Sequence, residues 1–359
     1  MKTTLLCPLE GVACCQGVAE YHPTVEANRV GELHPGDILD ERFLIVEVIS
    51  RSGMAMIFKA QDLHNRNANV ALKVPHLEYE SDPGFFTRFR REEEIGLKLN
   101  HPYVLKFIPM DGPKSRPYLV TEYLRGCTLA HLLKAMRPLP EKDPLKIASL
   151  LCEALQYLHD HGVIHRDLKP HNVMVGCDGS IRLLDFGLAK SNEFRRVTIG
   201  CWTPAMGTPD YIAPEQVQGK RGDARTDIYS LGAMLYEMLT GTPPFNGDDP
   251  FVIMNTRVTG DPVAPRKLNP SLSPQAEEIV LRALQRDPAR RYSTAAAMKA
   301  DLDAPDQVEV TGLCDGLQKS TRSRRVLLLV RWIVLTCILP LAIQVLLFLL
   351  LWHHYAKKH

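Results

Sequence analysis

The stretch Val163-Ile-His-Arg-Asp-Leu-Lys-Pro-His-Asn-Val-Met-Val175 decides how the rest of the chain is read. Apolar residues bracket a polar centre: Ile164 stands before it and Val173 to Val175 after it, with Arg166, Asp167, Lys169 and Asn172 between. The run has neither the period of a half-buried strand nor that of a helix. It reads as a loop held between two short strands, with polar side chains gathered in one place. Thirteen residues after Asn172 comes Asp185-Phe-Gly187, again behind an apolar run of Ile181, Leu183 and Leu184. The Asn172 carboxamide and the Asp185 carboxylate make a hard oxygen site suited to Mg²⁺. Lys169 and Asp167 beside them suggest a phosphate and a hydroxyl to be activated.

N-terminal to this loop, Pro144 to His161 carries Leu145, Ile147, Ala148, Leu151, Ala154, Leu155 and Leu158 at helical spacing. That is a core helix delivering the chain to the loop. Farther back, Val70-Ala-Leu-Lys-Val74 reads as a strand with one charged residue. A lysine in an apolar strand is costly unless paired, or else it points to solvent from an edge. The helix that follows, expected over about Phe85 to Leu99, carries Glu92, Glu93 and Glu94 and stops at Asn100-His-Pro102. Glu93 and Glu94 read as a solvated face. Ile45, Val46, Val48 and Ile49 predict a strand, and Tyr118 to Gly126 predicts a second one ending at a glycine.

Together these stretches resemble the eukaryotic-type (Hanks-type) Ser/Thr protein kinases, in the style of bacterial members. The resemblance covers about residues 37–303. It implies an α+β, bilobal fold with a small β-rich N-lobe (37–121), a hinge (122–126) and a larger helical C-lobe (127–303). It implies ATP and Mg²⁺ as cofactors and protein Ser/Thr hydroxyls as acceptors. Asp167, Lys169, Asn172 and Asp185 take the catalytic places, with Asn172 and Asp185 as metal ligands. Lys73, held by Glu92, takes the phosphate contact, with Thr121, Glu122 and Leu124 lining the adenine side. Ile49, Ser50, Arg51, Ser52, Gly53, Met54, Ala55, Met56 and Ile57 occupy the place of the glycine-rich loop. Ser50, Ser52 and Ala55 stand where the family has its three signature glycines, which stiffens a loop meant to approach phosphates closely. That departure keeps a second reading open: a catalytically weak pseudokinase scaffold.

Other family motifs follow in order. Gly207-Thr-Pro-Asp-Tyr-Ile-Ala-Pro-Glu215 resembles the end of an activation segment and a peptide-substrate platform. Glu215 with Arg291 corresponds to a structural ion pair, and Asp227 to the aspartate that braces the catalytic loop. Arg166 before Asp167 suggests control by activation-loop phosphorylation, with Thr203 the first candidate and Thr198 the second. A homodimer would allow that phosphorylation in trans.

Composition bounds the rest. The chain has 359 residues and a net charge of +2, so no broad field for nucleic acid is implied. Nine scattered cysteines without a Cys-x-x-Cys pair read as reduced thiols. Cys7, Cys14 and Cys15 cluster, but a metal site there would need a further ligand such as His22. Residues 1–36 read as a poorly ordered lead-in, and 304–325 as a basic juxtamembrane linker carrying Lys319, Arg322, Arg324 and Arg325. From Val326 to Trp352 nearly every residue is apolar. The 21 residues from Trp332 to Trp352 would span about 31 Å as a helix, enough for a bilayer core. The tryptophans at both ends and the arginines before the segment predict one transmembrane helix with the kinase domain in the cytoplasm. Residues 353–359 form a short tail, so a single-pass membrane protein touching lipid through its C-terminal helix is expected.

Overall fold

The computed structural model describes residues 32–185 and 209–317. It divides at residue 309, and of the second unit only 310–317 is described. In the first unit an antiparallel sheet runs in sequence order through β1 (Ile38–Leu39), β2 (Phe43–Arg51), β3 (Ala55–Asp62), β4 (Ala68–Pro75) and β5 (Leu119–Glu122). Alternation in β4 sends Val70, Leu72 and Val74 into a core with Phe43, Ile45, Met56, Phe58 and Val120. Lys73 therefore points to the opposite face, in register with Ile57 on one side and Leu119 on the other.

Between β4 and β5 lie α1 (Leu77–Glu80) and α2 (Pro83–Gly96). Asp82 caps α2 by accepting from Gly84 and Phe85 N–H groups, and Pro83 fits the first turn. The helix buries Phe85, Phe89, Glu92 and Ile95, one stripe at helical spacing. It ends at Gly96, three residues before the sequence expectation. A Cβ at Gly96 would stand 2.4 Å from the Phe107 ring, so the helix packs there only because the residue is glycine. Glu92 is carried inward because it shares the stripe with three apolar residues.

The second half is helical. It begins with β6 (Gly126–Thr128) and α3 (Leu129–Ala135), then α4 (Lys142–Asp160), the expected core helix. The hairpin β7 (Val173–Gly176) and β8 (Ile181–Leu183) pairs with β6 in a three-stranded sheet. Then come α5 (Pro214–Val217), α6 (Ala224–Thr240), α7 (Pro250–Thr259), α8 (Pro265–Leu268), α9 (Pro274–Ala283) and α10 (Ala295–Asp303). Every residue of α6 from Thr226 to Leu239 is buried, so it is a central helix apolar nearly all round. Asp223 caps its start, and Gly241 at φ 82° closes its end in the left-handed conformation. The two-lobed expectation holds: a sheet with one helix pair, then a helical body.

Several boundaries move. Leu33 packs against the sheet core and Gly36 N–H donates to Ile45 O at 2.9 Å, so the domain reaches back into the presumed lead-in. At the other end Val308 packs on the helical core, so the first part of the expected linker belongs to the domain. Cys152 is a free, buried thiol, but Cys177 is engaged in a disulfide, against the expectation of reduced thiols throughout. Among the described residues no helix is long and apolar enough to cross a membrane. The apolar segment 326–352, the Cys7–Cys15 cluster, Phe186, Gly187, Thr198 and Thr203 lie outside the described residues.

Candidate active site

The β7–β8 hairpin explains how residues thirteen apart converge. Val173 pairs with Leu183, and Leu184 N–H donates to Asn172 O at 2.8 Å. Asp185 thus stands two residues beyond the end of β8, next to the residue bonded to Asn172. Its φ of 60° is left-handed, as is the 65° of Arg166, and a non-glycine residue holds such a conformation only when its surroundings impose it.

Around Arg166 those surroundings are a buried carboxylate. Asp227, in the first turn of α6, is completely buried. Its Oδ2 accepts from His165 N–H at 2.9 Å and from His159 Nε2 at 2.8 Å, and its Oδ1 accepts from Arg166 N–H at 2.8 Å. His165 is also fully buried. Its Nε2 donates to Leu184 O at 3.0 Å while Nδ1 accepts from Asp167 N–H at 3.3 Å. One imidazole therefore links the loop to the residue preceding Asp185.

At the loop's open side Lys169 Nζ lies 2.7 Å from Asp167 Oδ2. Asn172 Nδ2 donates to Asp167 O at 2.8 Å and to Asp167 Oδ2 at 3.2 Å. Asn172 itself is buried, whereas Asp167 and Lys169 keep about a third of their side chains exposed (37% and 31%). The carboxylate is thus oriented by two neighbours and still reachable by an incoming group.

From the other lobe, Lys73 Nζ donates to Glu92 Oε1 at 2.8 Å and Oε2 at 2.9 Å, and stands 3.6 Å from Asp185 Oδ1. Burial opposes charge on Lys73, but Asp185 and Glu92 together hold its proton well above the ordinary lysine range. Burial pushes Glu92 up to about 7; Lys73 opposes this and the Asp185 charge adds to it. The lysine is the hub between two carboxylates, the answer to its cost in an apolar strand. Glu93 is not on a merely solvated face: Lys114 Nζ donates to its carboxylate and also to Tyr118 O at 2.7 Å. Glu94 is exposed as expected.

The loop from Ile49 to Ile57 is a hairpin between β2 and β3, with Ser50 opposite Ile57 and Arg51 opposite Met56. Ile49 and Met54 are exposed, while Met56 belongs to the sheet core and so turns away from the cleft. Ser52 closes the tip on itself. Its Oγ accepts from Ala55 N–H at 3.1 Å and Met54 N–H at 3.4 Å, and donates to Ala55 O at 2.9 Å. His76 donates from Nε2 to Ser52 O at 2.8 Å. At the hinge, Thr121 is buried opposite Ala71, and the Glu122 carboxylate is tied to Lys106 N–H and to Arg182 Nε at 3.0 and 3.3 Å. A cavity of about 330 Å³ is lined by Tyr123, Leu124 and Arg125 of the hinge with Met174 and the β7–β8 turn. Lys73 and Asp185 are not in its lining, so the charged centre lies outside it. Met174, which lines this cavity, escaped the sequence reading; it lies opposite Thr128 in the β6–β7 ladder, a pairing that only the folded chain makes.

The donor set fits a nucleotide with a hard divalent ion. Among the described residues no three His, Cys, Asp or Glu side chains gather to form a metal cage. Mg²⁺ is usually held by one or two protein oxygens plus phosphates and water, which is what Asn172 and Asp185 could supply.

Beyond the centre, Glu215 and Arg291 form a bidentate ion pair at 2.8 and 2.7 Å, with Thr226 Oγ1 also donating to Glu215 at 2.8 Å. Burial works against ionised Glu215, yet the Arg291 hydrogen bonds hold its carboxyl below the usual range.

A two-lobed domain with a lysine–glutamate bridge above an aspartate–lysine–asparagine loop defines a protein kinase. A family profile described as "Protein kinase domain" matches residues 45–302, well over half of the chain, and the chain belongs to that family. It is 37% identical over 284 residues to serine/threonine-protein kinase PknB of Mycolicibacterium smegmatis, covering 76% of this chain and 45% of that one. It is 37% identical over 268 residues to PknB of Mycobacterium tuberculosis, covering 74% and 43%. A probable serine/threonine-protein kinase of Streptomyces coelicolor is 37% identical over 270 residues, covering 74% and 40%. The chain spans less than half the length of these curated relatives.

Proposed function

We propose that this chain is an active Ser/Thr protein kinase that transfers the γ-phosphate of ATP to protein hydroxyls. The observation that carries the reading is the formed Lys73–Glu92 bridge, 2.8 Å long, above an Asp167 already oriented by Lys169 and Asn172. Phosphoryl transfer needs alignment and charge neutralisation more than covalent work. Lys73 would bind the α- and β-phosphates, and Asn172 and Asp185 would hold Mg²⁺. Bound there, the ion supplies positive charge to the phosphate oxygens. Asp167 would accept or orient the proton of the acceptor hydroxyl through its exposed carboxylate oxygen. Lys169, anchored on the same carboxylate, would offset charge on the transferred group. Thr121, Glu122 and Leu124 would border the adenine.

Regulation by activation-loop phosphorylation is supported by Arg166. Burial and the neighbouring Arg221 charge push its guanidinium below the usual arginine range, against the pull of Asp227. A phosphate on Thr203 or Thr198 would relieve that crowding of positive charge. Membrane attachment through 326–352 rests on its apolar length and flanking arginines. Deleting 326–359 is expected to release the protein from membranes, and retention in the membrane pellet contradicts the anchor.

The pseudokinase reading has one observation in its favour: the Ser52 hydroxyl already occupies N–H groups that a glycine-rich loop would offer to phosphates. The test is transfer from labelled ATP–Mg²⁺ to a protein acceptor, followed by phosphoamino-acid analysis. Phosphoserine and phosphothreonine are expected; phosphotyrosine, or no labelled protein, contradicts the assignment.

A further inference from the structure

Among the described residues the backbone that enters α5 pairs with no strand, yet its carbonyls are held one after another by side chains. Arg257 of α7 donates from Nη2 to Asp210 O at 2.6 Å and from Nη1 to Ile212 O at 2.8 Å. Ser230 of α6 donates from Oγ to the intervening Tyr211 O at 2.8 Å. The Tyr211 hydroxyl donates to Glu237 Oε2 at 2.5 Å. Ala213 N–H donates to Gln216 Oε1, and Gln216 Nε2 donates to Arg166 O, both at 3.0 Å. The segment is thereby joined to the catalytic loop as well.

Arg257 is completely buried, and it is the largest such side chain in the described protein. Burying a guanidinium is expensive, and an apolar side chain would fill the space beside Phe245 at lower cost. What an apolar residue lacks is a rigid fork of donors able to span two carbonyls two residues apart. Ser230 is equally specific: it sits one turn beyond Asp227 on α6, so the helix braces the catalytic loop and this segment from neighbouring positions. Arg257 touches none of Lys73, Asp167, Asn172 or Asp185 in these contacts.

We propose that Arg257, seconded by Ser230, is a positioning residue that fixes the 210–212 backbone as the platform for the protein substrate. It sets affinity for the acceptor and leaves the nucleotide end of the site alone. This rests on the protein-kinase reading and adds the residue through which α7 governs substrate binding.

The test uses the full chain with labelled ATP–Mg²⁺ and myelin basic protein as acceptor. Wild type is compared with Arg257→Met, Arg257→Lys and Ser230→Ala. Apparent KM for acceptor and for ATP, acceptor-free ATP hydrolysis and thermal midpoint are measured. Losing both carbonyl bonds in Arg257→Met should raise KM for acceptor roughly tenfold or more. KM for ATP and acceptor-free hydrolysis should stay within about twofold of wild type, a split that general loosening would not give. Arg257→Lys should recover part of the loss, because an ammonium serves one carbonyl in place of two. Ser230→Ala should give the same split at roughly fivefold, and it decides the matter if Arg257→Met fails to fold. KM values for ATP and acceptor that move together, or an unchanged acceptor KM in folded variants, overturn the inference alone. Wild type that hydrolyses ATP but labels no acceptor overturns the kinase reading, and the inference falls with it.

Discussion

Asp227→Asn keeps the volume of the side chain that braces the catalytic loop and changes only its hydrogen-bonding sense. The carboxylate accepts three bonds in a fully buried place: from Arg166 N–H on Oδ1, and from His165 N–H and His159 Nε2 on Oδ2. An amide has one accepting oxygen. Turned one way, its NH₂ meets the Arg166 N–H; turned the other way, it meets both histidine donors. The cheaper orientation loses one bond to a charged acceptor and weakens two more. A bond to a charged group contributes about 1.5–3 kcal/mol, and a buried donor left unpaired costs about 1–3 kcal/mol. A loss of about 3 kcal/mol in unfolding free energy is the expected outcome. The lost Arg166 bond also matters for chemistry, because that residue sits at φ 65° one position before Asp167. Releasing a strained residue there should let Asp167 drift and lower kcat at least tenfold, with KM for ATP little changed. Urea unfolding and steady-state phosphoryl transfer measure the two quantities. A stability loss under about 1 kcal/mol with kcat within about twofold of wild type would refute the bracing argument.

The Lys73–Glu92 bridge gives a pH prediction. Glu92, raised by burial to about 7, is ionised above that pH and neutral below it. kcat/KM for ATP should therefore fall as the pH drops through about 7, and Glu92→Gln should lack that limb; identical profiles contradict the role. Its stability effect has its own sign: a carboxyl raised on folding favours the fold at low pH, and that contribution fades as pH rises through about 7. At the hinge, a Cβ on Gly126 would stand 2.1 Å from Val175 O, so Gly126→Ala must part β6 from β7. A cost of about 1–3 kcal/mol and a severalfold rise in KM for ATP are expected, read by thermal melting and a nucleotide titration.

The catalytic loop was legible because its residues are unusual in company: a lysine, a carboxylate and a carboxamide cannot share a short loop between strands without a partner chemistry. Lys73 was legible for the same reason, as a charge in an apolar strand. Glu92 was found by spacing, and the stripe Phe85–Phe89–Glu92–Ile95 explains physically why it is buried. Glu93 was misread because Lys114, twenty-one residues away, reaches it only once the loop before β5 folds back. Ser52 could be seen as a departure from glycine, but not as a hydroxyl that caps its own turn. Arg257 gave no local signal at all. Its carbonyl partners lie 45 and 47 residues earlier, and only tertiary packing brings them together.

The central claim is that Asp167 serves phosphoryl transfer even though Ser50, Ser52 and Ala55 replace the usual glycines. The most direct measurement is single-turnover transfer of labelled phosphate from ATP–Mg²⁺ to a protein acceptor, with the full chain beside Asp167→Asn. The account predicts rapid labelling by wild type and a loss of at least a hundredfold in the variant, because the orienting carboxylate is gone while Lys73, Glu92 and Asp185 remain. Equal labelling by the two proteins, or none by wild type, would contradict it.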